Sequence, residues 1–251
     1  MTYFVPQDSI VRTIWGKGDT ILFIFAGSSA EFALNKAVDW LYFTGRLPAD
    51  PLGRLFSTIG YARLIVFSEN EAALRAIDKM RAIHSAVEAN RGDTIPDWAY
   101  RDVLFMLIHY SIASYELLER KLTDAEKEEV FQVFNRVGVR MGIPGLPTNY
   151  NEWLQAQSYH LEHDLKRSHY TDDLFKQYRK HLGPVRYFLL LHGQKLVVPP
   201  KVNELLGRAR FSVMRGIIPV YKLTRLLKLD GLVKNMILPP KYKKQIRALD
   251  V

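Results

Sequence analysis

The sequence predicts an all-α fold, a single large globular helical domain over residues 1–251. Three observations carry that expectation. Apolar residues recur at three- and four-residue spacing through long stretches, capping-box signatures precede several of them, and the apolar–polar alternation of strands is scarce. With 251 residues, 48% of them hydrophobic, the chain can bury a sizeable core. It contains no cysteine, which excludes disulfides, iron–sulfur clusters, thiolate-ligated haem and cysteine zinc sites.

Residues 1–20 read as irregular, with a short amphipathic piece over Ile10–Trp15. The next helix is apolar almost all round, through Ile21–Phe25 and on through Phe32–Trp40. Inside it, Gly27-Ser28-Ser29 is a stretch of small side chains, suited either to tight helix packing or to the approach of a flat ligand. A loop follows over Gly45–Pro51, its prolines disfavouring helix in the residues before them. Beyond it Arg54, Thr58 and Tyr61 fall at i, i+4 and i+7, with Ser57 beside them. That polar face either orients a bound small molecule such as O₂ or water, or simply meets solvent.

Ser68-Glu69-Asn70-Glu71 reads as a capping box that starts a helix near Glu69. Along it Ile77, Met80, His84 and Val87 share one face, Arg81 lies three residues before His84, and Asn90 and Gly92 mark the end. Two readings of His84 stand side by side. It is either a core histidine bonded to a carbonyl, or a neutral imidazole ligating a metal or haem iron, with an arginine facing an anionic cofactor group.

Residues 98–121 form another mostly buried helix, in which His109 is either a second pocket residue or a core histidine. Thr123-Asp124-Ala125-Glu126 is a second capping box, and Gly142 with Pro144 closes the helix it opens. Asn149-x-x-Glu152 begins the next, which carries His160, His163 and His169. His160-x-x-His163 has ligand spacing but no third ligand at a recognised distance, and the charged neighbours read as a wet face. Gly183-Pro184 then breaks the chain, and Pro199-Pro200 ends the apolar segment after it.

Charge is spread unevenly. Residues 195–251 hold thirteen Lys or Arg against three Asp or Glu, whereas the rest is close to neutral. This basic C-terminal segment, readable as a separable appendage, intersperses Leu223, Leu226, Leu227, Leu229 and Leu232 with Lys222, Arg225, Lys228 and Lys234. The pattern suits peripheral contact with anionic membrane, or a solvated face around a helical core. No nucleic acid is expected as a partner, because neither a stacking platform nor a helix-turn-helix is recognisable. No basic n-region leads an apolar stretch at the N-terminus and no uncharged run reaches membrane-spanning length, so a cytoplasmic, at most peripheral, protein is expected. Gly-x-Gly-x-x-Gly, P-loop, His-Glu-x-x-His, Gly-x-Ser-x-Gly and Glu-x-x-His patterns are all missing, which argues against nucleotide, zincin, serine-hydrolase and di-iron carboxylate chemistry.

The run Asp50-Pro51-Leu52-Gly53-Arg54-Leu55-x-x-Thr58-x-x-Tyr61, followed by Val66-Phe67 and Arg81-x-x-His84, resembles the catalytic domain of the rubber oxygenases. That family includes a fungal membrane-bound oxygenase that cleaves a prenyl chain. Leu122-Thr123-x-x-Glu126 and Arg140-Met141-Gly142-Ile143-Pro144-x-Leu146-Pro147-Thr148 resemble the same family. The resemblance implies a haem b-dependent oxygenase, with His84 as proximal iron ligand, Arg54 and Thr58 on the distal side, and Arg81 and Tyr61 in the cofactor pocket. It implies O₂ and an apolar, isoprenoid-like substrate with a C=C bond. Ser57 stands where rubber-cleaving members have a distal lysine, and Ala26-Gly27-Ser28 stands where an Ala-His-Pro is expected; both depart from the pattern. The competing expectation is a haem-free helical protein that binds lipid or a partner through its basic C-terminal quarter.

Overall fold

Helix follows helix along the chain: α1 (Ile10–Trp15), α2 (Gly18–Phe32), α3 (Asp39–Phe43), α4 (Pro51–Phe67), α5 (Asn70–Arg91), α6 (Asp97–Leu118), α7 (Asp124–Met141), α8 (Tyr150–His163), α9 (His169–Val197), α10 (Pro200–Leu205) and α11 (Met214–Leu226). The structure is a computed structural model that describes residues 2–45, 49–209 and 211–226. Among the described residues there is no β-strand, only isolated bridges at Tyr3–Glu69 and Asn35–Leu165. The all-α expectation holds.

Local chemistry sets the boundaries. Pro51 occupies the first turn of α4, and the Asp50 carboxylate accepts from the Gly53 N–H at 3.0 Å. In α7 the capping box forms as the sequence predicts: the Glu126 N–H donates to Thr123 Oγ1 at 3.2 Å, and the Thr123 N–H donates to Glu126 Oε2 at 2.8 Å. Gly92 and Gly142 end α5 and α7 in the left-handed conformation, with φ of 70° and 76°. Gly183, with φ 72° and ψ 173°, splits α9 into two helical pieces where the sequence places a break.

Two expectations are corrected. Ser68 forms no capping box; it ends α4 in an extended conformation, and Glu69 at the N-cap of α5 makes no side-chain bond. The N-terminal segment does the work instead: Tyr3 bridges Glu69, and the Thr2 carbonyl accepts from the Asn70 N–H at 2.9 Å. The helix through Ile21 also does not continue to Trp40. It stops at Phe32, because Asn35 turns the chain through an Ala37 N–H bond to its own side chain and pairs with Leu165.

The core is built on α2, which lies along both α6 and α9. Contact on two sides explains its apolar circumference: Ile21, Ile24, Phe25, Ala26 and Ala30 are all buried. The aromatic ring of Tyr110 rests on Gly27, in the space a Cβ would fill, so this small-residue stretch serves tight packing. Trp15, Ile77, Ile108, Phe131 and Trp153 anchor the main core, each large side chain worth about 1.5–3 kcal/mol of burial. A second cluster gathers Leu34, Val38, Leu174, Phe175 and Val202 around α3, α9 and α10.

In the basic C-terminal segment, α11 buries Ile218, exposes Ile217, Val220 and Leu223, and donates a hydrogen bond from the Tyr221 hydroxyl to Asp19. Leu227, Leu229, Leu232, Lys228 and Lys234 lie outside the described residues. Among the described residues no helix is long and apolar enough to cross a membrane.

Candidate active site

α4 and α5 are joined by a tight connection at Ser68–Glu69 and pack against each other. The start of α4 thereby comes beside the far half of α5, and the positive charge of Arg54 is felt at His84. Burial lowers the His84 pKa, and Arg54 lowers it further, so the ring is held neutral at neutral pH. Its Nδ1 is buried and makes no aligned hydrogen bond. The Met80 carbonyl one turn back and Glu88 pull the His84 pKa the other way. Tyr100 from α6 meets the ring edge-on, with centroids 5.3 Å apart. The Tyr100 hydroxyl donates to Glu88 Oε1 at 3.2 Å, and the Ile95 N–H donates to the same oxygen at 3.0 Å. His84 is thus a neutral imidazole, positioned by packing, with a guanidinium close by.

The other expected residues are arranged less tightly. Ser57 and Thr58 are exposed on α4, and the Thr58 hydroxyl donates back to the Arg54 carbonyl at 3.3 Å. Tyr61 is half-buried. Arg81 corrects the reading of a buried His–Arg stripe: it is exposed, near Asp78, which pairs with Arg140 at 2.8 and 2.6 Å. The core-facing line of α5 runs through Ala73, Ala76, Ile77, Met80, His84 and Val87, and the helical period carries Arg81 off it. His109, enclosed within α6, faces the Val197 carbonyl at 3.4 Å and meets Tyr110 edge-on, the surroundings of a core histidine.

An axial imidazole must be neutral, with a ring nitrogen left for iron while the other leans on an acceptor. The lowered pKa of His84 and the nearby Arg54 charge are compatible with the first of these requirements.

A second constellation was missed in the sequence. His160, read there on a wet face, is 1% exposed. Its Nε2 donates to Glu31 Oε1 at 3.0 Å, and its Nδ1 lies 2.8 Å from Asp102 Oδ1 and 3.6 Å from Asp164 Oδ2. Tyr110 donates to Glu31 Oε2 at 2.6 Å, and the Asn35 amide donates to Asp102 Oδ2 at 2.8 Å. Burial alone would lower the His160 pKa, but Asp102 and Glu31 outweigh it and push it up to about 10. Burial raises Asp102, with His160 and Asn35 pulling the other way. A signal existed: Trp153, Gln157 and His160 stand at i, i+4 and i+7, and all three are buried. His163, off that face, is exposed and stacks on Tyr159.

Residues 17–227 match the family model described as "ER-bound oxygenase mpaB/B'/Rubber oxygenase, catalytic domain". No curated protein and no solved structure matches the chain.

Proposed function

Since the chain belongs to this family of mpaB-type and rubber oxygenase catalytic domains, we propose that it is a haem b-dependent oxygenase with His84 as the axial ligand. The observation that supports the assignment most directly is the neutral His84 imidazole, its Nδ1 uncommitted to any aligned hydrogen bond, beside Arg54. When bound, haem b supplies the redox chemistry that activates O₂.

The chain's own residues do the rest. His84 anchors the group, since no cysteine is available for covalent attachment or thiolate ligation. The Met80 carbonyl beside the ring would favour a proton on one ring nitrogen and leave the other for the group. Arg54 presents a fixed positive charge that orients a polar oxygen species or holds a propionate, as charge-assisted bonds do with about 1.5–3 kcal/mol each. Thr58, Ser57 and Tyr61 carry hydroxyls along the same helix for orienting water or O₂. Ser57 would supply a hydroxyl where rubber-cleaving members have a lysine. Arg81 is exposed and long enough to turn toward an anionic group. The substrate in this reading is an apolar, C=C-containing molecule of isoprenoid type. Peripheral contact with anionic membrane is supported by the exposed Ile217, Val220 and Leu223 beside Arg215.

The test is spectroscopic. Protein from haem-sufficient cells is expected to show a Soret band and a b-type pyridine haemochrome. His84→Ala is expected to lose tight haem binding and to recover it with external imidazole, while His109→Ala keeps the wild-type spectrum. Stoichiometric haem that produces no saturable change with apoprotein would overturn the proposal, as would His84→Ala with full haem.

A further inference from the structure

The buried carboxylate–histidine cluster does none of the work assigned to His84, and its geometry points to a second role. We propose that His160 Nδ1, Asp102 and Asp164 form a binding site for a divalent first-row transition ion, with Glu31 orienting His160 from behind. The proposal is independent of the haem reading.

Distances come first. One donor atom from each of the three residues lies within 4.8 Å of the others. His160 Nδ1 is 2.8 Å from Asp102 Oδ1 and 3.6 Å from Asp164 Oδ2. Donors held about 2.0–2.2 Å from one ion stand roughly 3–3.5 Å apart, a range that the two His160 separations bracket. The second observation concerns direction. His160 Nδ1 is buried and, although it lies 2.8 Å from Asp102 Oδ1, has no aligned hydrogen bond.

The outward sides of His160, Glu31 and Asp102 are already committed. His160 Nε2 donates to Glu31, Glu31 accepts from the Tyr110 hydroxyl, and the second Asp102 oxygen accepts from Asn35. A histidine that gives its other N–H to a carboxylate is the usual support of a metal-ligating imidazole. Charge points the same way. Three carboxylates converge on one imidazole, and among the described residues no Lys or Arg forms an ion pair with Glu31, Asp102 or Asp164. A divalent ion beside a neutral imidazole offsets more of that negative charge than an imidazolium can.

Access is from the Asp164 side, where the side chain is 17% exposed, against 1% for His160 and 2% for Asp102. One nitrogen and two carboxylates, without thiolate, suit Zn²⁺, Mn²⁺, Co²⁺ or Fe²⁺ and disfavour Cu⁺. The remaining coordination positions fall to water.

The experiment uses the full-length protein, stripped with chelator and then titrated with Zn²⁺, Mn²⁺ or Co²⁺ alone. Bound ion is counted by elemental mass spectrometry and the melting temperature is followed. At least one of these ions is expected to bind as a single equivalent and to raise Tm. Asp164→Asn, a rim substitution of the same size, is expected to weaken binding roughly tenfold or more while leaving the metal-free Tm unchanged. It should also remove the visible absorption of bound Co²⁺. His163→Ala, on the exposed face, is expected to bind like wild type. The inference is overturned if none of the three ions binds saturably, if Asp164→Asn binds as tightly as wild type, or if His163→Ala loses binding to the same degree.

Discussion

His84 and His160 flank the same helix, α6, and are opposites. Tyr100 of α6 meets His84, and two residues later Asp102 meets His160. Both rings are largely enclosed, yet Arg54 helps hold one neutral, while Glu31 and Asp102 push the other up to about 10. Burial alone would lower both. The sign of the neighbouring charge therefore decides whether a buried imidazole is neutral or, in the metal-free protein, carries a second proton that balances carboxylates.

Removing each ring should separate the two sites most widely. His160→Ala strands Glu31 and Asp102 as buried, unbalanced carboxylates and should cost about 3–5 kcal/mol of stability, seen in chemical denaturation. His84→Ala leaves no buried charge uncompensated and should cost no more than about 1 kcal/mol. Equal losses in the two variants would erase the distinction.

Tyr110→Phe deletes the donor to Glu31 and keeps the ring on Gly27. Loss of a bond to a charged group should cost about 1.5–3 kcal/mol, with the haem spectrum unaltered.

pH should move the two histidines in opposite senses. In metal-free protein the folded pKa of His160 lies above the ordinary 6.5, so its contribution is complete below that value and is lost as pH rises through about 10. The folded pKa of His84 lies below 6.5, so stability is lost as pH falls through 6.5 toward that lower value. Histidine ring NMR across this range should show His160 doubly protonated at neutral pH and His84 with a single ring proton. A neutral His160 at pH 7 would contradict the carboxylate sandwich.

The smallest effect is a control away from both rings. Thr123→Ala removes the α7 cap and should cost about 1 kcal/mol, leaving both titrations in place.

What the sequence disclosed follows from how local each signal is. Caps at Thr123 and Asn149, glycine ends at Gly92 and Gly142, and the His84 stripe depend on residues within a turn or two, and each appears in the structure. Ser68 misled because the start of α5 is capped from the N-terminal segment, where the Thr2 carbonyl accepts from the Asn70 N–H. His160 misled because its flanking Glu162, Asp164, Lys166 and Arg167 advertise solvent, whereas its partners Glu31 and Asp102 come from two distant helices. The Trp153–Gln157–His160 line was the one local clue. The influence of Arg54 on His84 was not legible in the sequence, since it joins the two arms of a hairpin.

Tyr110 rests on Gly27, and its hydroxyl closes on Glu31 one turn further along α2. In evolutionary terms these three positions form one inherited unit. A side chain at position 27 is tolerated only where position 110 has given up its ring, and in that background Glu31 keeps His160 alone as its side-chain donor. The order of change is therefore constrained: relatives that place a larger residue at the equivalent of Gly27 are expected to have lost the tyrosine and the glutamate together, and drift through any single one of the three is closed off by the other two.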